Sequence, residues 1–181
     1  MKAVILAGGE GTRLRPLTSN TPKPMMPLAN KPMMEHIVNL LALHGLDEIV
    51  VTVAFLANQI RDYFGDGSDF GVTMRYATED SPLGTAGSVR NAAEELDDTF
   101  LVISGDVLTD IDLTAFVKAH RDAGATASIA LKHVENPLEF GIVITQPDGT
   151  IERFLEKPTW GEVFSDTINT GIYVLEPVVF D

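Results

Sequence analysis

The 181-residue sequence predicts an α/β fold with a doubly wound, mostly parallel sheet, to which the last third of the chain adds antiparallel strands. Two observations carry this prediction. Short unbroken Val/Ile/Leu runs alternate with helical patterns as far as residue 124, and such runs are typical of parallel strands that are buried on both faces. Beyond residue 124, strand patterns follow one another without intervening helices, as expected of an antiparallel addition.

The alternating region begins with a strand at residues 3–6, followed by a glycine-rich segment and an irregular excursion from Pro16 to Pro32. Apolar residues at helical spacing then predict a helix that starts at Pro32 and ends at Gly45. Strands at 49–53, 72–76 and 100–103 alternate with helices at 56–64, from 83–87 to about 96, and at 113–123. We expect Asp112 to cap the last of these helices and Gly124 to end it.

The last third contains strand patterns at 125–133, 141–145, 151–156 and 168–175, with a turn at 147–149. In a doubly wound sheet, ligands bind outside the carboxyl ends of the parallel strands. Polar residues that directly follow the strands at 3–6 and 100–103 are therefore the first candidates for a functional site.

Composition limits the classes of function. Hydrophobic residues make up 45% and charged residues 22% of the chain, and no apolar run reaches the roughly 18 residues that span a bilayer. There is no cysteine, which fits a cytoplasmic protein without disulfides. The net charge of −13 argues against a nucleic-acid partner. Residues 1–31 nevertheless contain five of the 13 Lys and Arg residues and a single acid, Glu10, which suits a small anionic ligand.

The glycines at 8, 9 and 11 follow the first strand directly and predict a phosphate cradle. Glycine lets the backbone approach a ligand, and the exposed N–H groups form an anion site beside Arg13 and Lys23. The Walker loop is excluded because no Gly-Lys-Ser/Thr follows at the required spacing. The dinucleotide fingerprint is excluded because Leu14 stands in place of its third glycine.

Other candidate positions are ambiguous when taken alone. Asp106, after the strand at 100–103, is equally compatible with a Mg²⁺ ligand and with a turn carboxylate. The small residues at 83–87 suit a plain helix start, and the Glu156–Lys157 dipeptide suits an exposed ion pair. The four histidines, at 36, 44, 120 and 133, show no metal-binding spacing and are interpreted as structural residues.

The string from Gly8 to Pro24 closely resembles the signature of the sugar-nucleotide pyrophosphorylases, the nucleotidyltransferases that join an NTP to a sugar 1-phosphate. The Glu-x-x-x-x-Gly-Thr-Ala-Gly loop from Glu79 and the run from Asn169 to Pro177 resemble most the guanylyltransferases that act on mannose 1-phosphate. The resemblance implies a Rossmann-like fold of the nucleotide-diphospho-sugar transferase type. It also implies that GTP and mannose 1-phosphate give GDP-mannose and pyrophosphate, with Mg²⁺ as cofactor. Uridylyl-, thymidylyl- or adenylyltransferases acting on glucose 1-phosphate remain alternatives, and so does a non-catalytic nucleotide-sugar-binding module.

The resemblance also implies roles for particular residues. Arg13, Lys23 and Asp106 would be catalytic, with Asp106 as the metal ligand. The nucleotide would be bound by Leu6, Ala7, Gly8, Gly9, Gly11, Thr12, Arg13, Glu79, Gly84 and Thr85. The sugar phosphate would be bound by Gly141, Glu156, Lys157, Asn169 and Thr170.

In this family a second aspartate on a later strand completes the metal site, and many members carry a further C-terminal domain. The sequence ends at Asp181, before either could occur. We therefore expect residues 1–181 to be a catalytic domain that is incomplete at its C-terminal end. No membrane partner is expected, and the sequence leaves homo-oligomerisation open.

Overall fold

The computed structural model describes residues 1–181, which form two compact units. The first unit comprises residues 1–128 and 173–181, and the second comprises residues 129–172. The strands are β1 (Lys2–Leu6), β2 (Pro27–Leu28), β3 (Lys31–Pro32), β4 (Glu48–Val53), β5 (Thr73–Thr78), β6 (Phe100–Ser104), β7 (Ala127–His133), β8 (Gly141–Thr145), β9 (Ile151–Glu156) and β10 (Thr167–Leu175). The α-helices are α1 (Met33–Leu43), α2 (Ala57–Phe64), α3 (Gly84–Asn91) and α4 (Leu113–Ala123).

Parallel strands in the order β5-β4-β1-β6 build the sheet of the first unit. Val4, at the centre of β1, is paired with Val50 on one side and Val102 on the other. All three side chains are buried and belong to one core cluster with Val89 of α3. Burial on both faces explains the unbroken apolar runs in the sequence and confirms the predicted mostly parallel sheet.

Helix ends follow their predicted signals. In α4, the Asp112 side chain accepts a hydrogen bond from the Ala115 N–H at 2.9 Å, and Gly124 follows the helix with a φ of 57°. Gly45, after α1, has a φ of 69°. Both glycines adopt the left-handed conformation that ends helices at low steric cost.

Two segments differ from the prediction. Helix α3 ends at Asn91, not near residue 96, because the Ala92 N–H bonds to the Val89 carbonyl and a 3₁₀ turn follows at Ala93–Glu95. This turn still buries Ala92 and Leu96. The excursion from Pro16 to Pro32, predicted as irregular, contains a short antiparallel hairpin of β2 and β3.

Antiparallel pairing characterises the second unit, as predicted. Strand β8 pairs with β9 on one side and with β10 on the other, and β7 pairs with β10. The predicted turn at 147–149 joins β8 to β9, with the Gly149 N–H bonded to the Gln146 carbonyl at 2.9 Å. No helix in the protein is both long enough and apolar enough to cross a membrane.

Candidate active site

A cleft of ≈ 370 Å³ opens in the first unit where β1, β5 and β6 end and α3 begins. Its walls therefore come from the carboxyl ends of parallel strands, where doubly wound sheets bind ligands. The lining residues are Leu6, Ala7, Gly8, Gly9, Gly11, Arg13, Lys23, Pro24, Glu79, Pro82, Leu83, Gly84, Thr85, Ser88, Ser104 and Asp106.

The glycine turn after β1 is fixed by packing at Gly11. This residue has a φ of 61°, and a Cβ added to it would lie 3.0 Å from Cβ of Lys23 and 3.1 Å from Cγ2 of Thr18. Thr18 is fully buried, and its hydroxyl donates to the Gly11 carbonyl at 2.8 Å. Position 11 thus requires glycine for its conformation and for its space.

Two cationic side chains line the cleft in different electrostatic states. Arg13 lies in the 3₁₀ turn Thr12–Leu14, is exposed and forms no ion pair. Lys23 begins the 3₁₀ turn Lys23–Met25, and its Nζ is hydrogen-bonded and ion-paired to Oδ2 of Asp106. The guanidinium of Arg13 is therefore free to meet an anion, while the ammonium of Lys23 is already neutralised.

Glu79 supplies a carboxylate without a complete set of partners. It follows β5, is only 8% exposed, and its Oε1 is buried with no hydrogen-bond partner. The carboxylate lies over Gly8, where an added Cβ would be 3.0 Å from Oε1. Because an unpaired buried carboxylate oxygen is unfavourable, a donor group on a ligand would stabilise this arrangement.

The start of α3 contributes a wall with small residues to the same cleft. Gly84 has a φ of 69°, and its carbonyl accepts a hydrogen bond from the Ser88 hydroxyl at 2.8 Å. One turn further along the same helix, Val89 is buried in the core. This wall is consequently anchored in the core of the first unit.

Asp106 fits a divalent cation only when a ligand completes the coordination. Its side chain is 33% exposed and lies just beyond the end of β6. The structure contains no group of three or more His, Asp or Glu residues placed to hold a metal ion. Mg²⁺ is commonly held by one or two carboxylates together with substrate phosphates, so a single aspartate suits an ion that arrives with a phosphate.

The predicted sugar-phosphate residues form one band of the second unit: four lie on three neighbouring strands, and Lys157 directly follows β9. Gly141 of β8 pairs with Glu156 of β9. The antiparallel pairing of Ile142 with Ile168 places Asn169 of β10 level with Gly141.

Hydrogen bonds position the remaining residues of this band. The Lys157 N–H donates to the Phe140 carbonyl at 3.0 Å, and Lys157 has a φ of 44°, which is uncommon for a residue other than glycine. The Thr170 hydroxyl donates to the Ala130 carbonyl at 2.6 Å. Thr170 can therefore offer a ligand an oxygen acceptor while its proton remains engaged.

All the predicted nucleotide residues except Thr12 line the cleft, and so do Lys23 and Asp106. Thr12 is exposed, and its carbonyl accepts from the Arg15 N–H within the turn. The cleft also contains Pro24, Pro82, Leu83, Ser88 and Ser104, which the sequence analysis did not assign as binding residues. Pro24, Pro82, Leu83 and Ser88 are close in sequence to assigned residues, and Ser104 directly follows the predicted strand at 100–103.

Sequence comparison now decides the family. Residues 2–181 match the family described as Nucleotidyl transferase. The chain belongs to the nucleotidyl transferase family. This membership confirms the predicted resemblance.

Among curated members of the nucleotidyl transferase family, the chain is 47% identical to a UTP–glucose-1-phosphate uridylyltransferase of Synechocystis sp. over the whole chain. It is 40% identical to a mannose-1-phosphate guanylyltransferase of Mycobacterium tuberculosis over 99% of the chain. In both cases it spans only 50% of the relative's length.

Solved structures of other proteins share the fold of this chain. A protein from Bacillus anthracis described as a glucose-1-phosphate thymidylyltransferase, in complex with a sucrose, superposes with a TM-score of 0.92 at 31% identity. That match covers 99% of this chain and 73% of the other. HddC from Yersinia pseudotuberculosis, complexed with GMP-PN, gives 0.84 at 27% identity and covers 99% and 78%. These matches confirm the predicted Rossmann-like α/β architecture.

Proposed function

We propose that this chain carries the nucleotidyl-transfer site of a sugar-1-phosphate nucleotidyltransferase, which converts an NTP and a sugar 1-phosphate into an NDP-sugar and pyrophosphate. One observation carries the proposal. A single cleft at the strand ends combines a glycine turn, the unpaired cation of Arg13 and the unpaired buried carboxylate of Glu79. Backbone N–H groups and a cation suit a triphosphate, and a buried carboxylate in the same cleft suits a base with N–H donors.

The reaction requires positioning and charge neutralisation more than covalent chemistry. An oxygen of the sugar phosphate attacks the α-phosphorus in line with the departing pyrophosphate, and no enzyme-bound intermediate is needed. Arg13 would hold the leaving pyrophosphate, and Lys23 would hold the α-phosphoryl or the incoming phosphate. Fixed cations in these places stabilise the charge that develops in the transition state.

Mg²⁺ is the cofactor that we propose for Asp106, and the nucleotide would supply further oxygen ligands. When bound, the ion would neutralise phosphate charge. A cytoplasmic location belongs to the same proposal.

Glu79 makes guanine the preferred base of the proposal. A carboxylate only accepts hydrogen bonds, and the Watson–Crick edge of guanine offers two adjacent N–H donors, at N1 and N2. Uracil offers one donor, at N3, flanked by two carbonyl oxygens that a carboxylate would repel. The guanylyltransferase of M. tuberculosis supports this choice, whereas the uridylyltransferase of Synechocystis makes UTP and glucose 1-phosphate the main alternative.

In the second unit, we propose that the band of Gly141, Glu156, Lys157, Asn169 and Thr170 binds the sugar phosphate. Glu156 would accept hydrogen bonds from sugar hydroxyls, and the Lys157 ammonium would pair with the phosphate. The support for this assignment is that five residues from three separate motifs converge on adjacent strands.

The proposal is tested by pyrophosphate release with Mg²⁺, each of the four NTPs, and mannose or glucose 1-phosphate. We expect release with GTP and mannose 1-phosphate to exceed release with every other pair. Release with UTP and glucose 1-phosphate instead would keep the reaction and correct the substrates. Saturable nucleotide binding without release would favour the non-catalytic module, and the absence of both would contradict the proposal.

The variant Glu79→Gln isolates the base contact because it preserves shape while replacing one acceptor by a donor. Bidentate base contacts discriminate by about 1–3 kcal/mol, so the GTP-to-UTP preference in kcat/KM should fall roughly 5- to 150-fold. Glu10→Gln, which removes an exposed carboxylate outside the cleft, is the matched control. An unchanged preference in Glu79→Gln would show that this carboxylate does not select the base.

A further inference from the structure

The ion pair between Lys23 and Asp106 joins two residues to which the proposed function gives separate tasks. Nζ of Lys23 contacts Oδ2 of Asp106 across 83 residues of sequence. The two side chains are only 28% and 33% exposed, so solvent screens this pair less than it screens a fully exposed one. The ammonium therefore occupies a coordination position of the carboxylate that a divalent cation would need.

We propose that Lys23 is a placeholder for the divalent cation. It neutralises Asp106 until nucleotide phosphates draw the ammonium away, so that cation and nucleotide enter the cleft together. This inference rests on the proposed function and adds to it a mechanism that couples the two ligands.

The charges in the cleft support this exchange. A divalent cation at Asp106 must displace the Lys23 ammonium from Oδ2, and two positive charges left in contact would repel each other. Lys23 forms no other ion pair to which it could move. The phosphates of a bound nucleotide would provide that second partner, because Lys23 and the glycine turn line the same cleft. Cation affinity is then low without nucleotide and high with it.

The coupling between cation binding and nucleotide binding can be measured by titrating either ligand. If Lys23 suppresses cation binding when no nucleotide is bound, its removal should raise the affinity for the cation alone. The coupling between cation and nucleotide should decrease, and by the same factor whichever of the two ligands is titrated, because coupling free energies are symmetric.

The experiment uses Mn²⁺ as the probe, with protein stripped of metal and free of nucleotide, and counts free ion by electron paramagnetic resonance. We expect the Mn²⁺ Kd at the tightest site to fall roughly tenfold in Lys23→Met relative to the unmodified protein. Lys118→Met is the matched control, because Lys118 pairs with Asp122 on an exposed helix face outside the cleft. It makes the same change in net charge and also leaves an aspartate unpaired, and its Mn²⁺ Kd should stay unchanged.

An unchanged or weaker Mn²⁺ affinity in a folded Lys23→Met would overturn the proposal. So would an equal gain in Lys118→Met. Since neither measurement uses turnover, the placeholder can fail while pyrophosphate release still supports the proposed function.

A second variant keeps the test decisive if Lys23→Met does not fold. In EDTA, Asp106→Asn releases Lys23 for the phosphates, and the affinity for GTP should rise several-fold. Asp110→Asn is the control for the general loss of negative charge, because Asp110 is an exposed carboxylate four residues further on. A gain no larger than that of Asp110→Asn would overturn the proposal.

Discussion

In the first unit, most candidate residues lie at the carboxyl ends of parallel strands or in the segments that follow them, whereas in the second unit they lie on or beside the antiparallel strands themselves. Ala3, Val4 and Ile5 of β1 are completely buried, but most of β9 is exposed. The cleft is consequently shaped by a core that tolerates little change. The band of the second unit is shaped by the alternation of strand side chains, which permits change on the exposed face.

The largest expected effect is a loss of kcat on substitution of Arg13 in the first unit. Replacing Arg13 by Ala removes the one unpaired cation that lines the cleft. By analogy with other lost charge-stabilising donors, kcat should fall roughly 10²- to 10³-fold, while the KM for the sugar phosphate changes little. Arg15→Ala is the control, because Arg15 pairs with Glu10 at 3.0 Å and does not line the cleft. A loss below about tenfold in Arg13→Ala would contradict the assigned role.

In the second unit, we expect a substitution to raise the KM for the sugar phosphate and to leave nucleotide binding unchanged. Lys157→Asn removes the ammonium but keeps a residue type that tolerates a φ of 44°. Hydrogen bonds to charged groups contribute about 1.5–3 kcal/mol, so the KM for the sugar phosphate should rise roughly 10- to 150-fold, with nucleotide affinity unchanged. Steady-state kinetics measure the KM for the sugar phosphate, and a nucleotide titration measures the nucleotide affinity. Lys132→Gln, at an exposed lysine of β7, should change neither, and a nucleotide defect in Lys157→Asn would remove the distinction between the units.

Two glycine substitutions compare how rigidly each unit is packed. A Cβ at Gly105 would lie 2.9 Å from the Leu6 carbonyl oxygen, which is backbone of a fully paired strand. Overpacking of this kind costs about 1–3 kcal/mol, so Gly105→Ala should lower the free energy of unfolding by that amount. At Gly141 the nearest atom is Oε2 of Glu156, at 2.6 Å, the end of a flexible side chain.

Gly141→Ala should therefore change stability by less than about 0.5 kcal/mol, because the Glu156 carboxylate can move aside. Urea denaturation with unchanged m-values measures both variants. Equal losses of stability in Gly105→Ala and Gly141→Ala would show that the two units are packed alike.

The smallest expected effect concerns acid sensitivity. Hydrogen bonds from His120, the larger cause, and from Thr99 hold the pKa of Glu176 below the usual value of a glutamate, 4.5. Because the folded pKa is the lower one, this interaction stabilises the fold above about pH 4.5 and is lost as the pH falls through the folded pKa. Glu176→Gln should thus be less stable at neutral pH, and its difference from the unmodified protein should shrink in acid.

Asp166 of the second unit provides the comparison. His133 lowers the pKa of Asp166 through a hydrogen bond at 2.9 Å, but both side chains are largely exposed. Solvent screens such a pair, so Asp166→Asn should leave the acid unfolding curve unchanged. Chemical denaturation at pH 3.5–7 tests both substitutions, and identical acid curves for Glu176→Gln and Asp166→Asn would contradict the difference in burial.

Those elements whose signal is local could be predicted from the sequence. Strands β1, β4 and β6 are buried on both faces, which produces continuous apolar runs, and the ends of α4 are set by Asp112 and Gly124. The β2–β3 hairpin could not be predicted in this way. Its turn places Ala29 and Asn30 at φ values of 51° and 66°, and alanine gives no signal for a left-handed conformation.

The candidate site likewise contains some features that a local sequence signal predicts and others that it does not. Its glycine turn, Arg13 and Asp106 carry signals in the residues directly after strands. The contact of Lys23 with Asp106 and the hydrogen bond of the Thr18 hydroxyl to the Gly11 carbonyl depend on chain paths that no local pattern describes. Ser104 lines the cleft only because the last residue of a strand faces it.

The carboxylate of Glu79 lies so close to Gly8 that a Cβ at position 8 would be only 3.0 Å from Oε1. When the base preference is redesigned, the residues allowed at position 8 therefore depend on the residue at position 79. A smaller residue at 79 would make room for alanine at 8, whereas alanine at 8 beside an unchanged Glu79 would push the carboxylate out of place. Variants at position 79 alone would therefore include only those base contacts that are compatible with glycine at position 8. Other base contacts become possible when both positions are varied together.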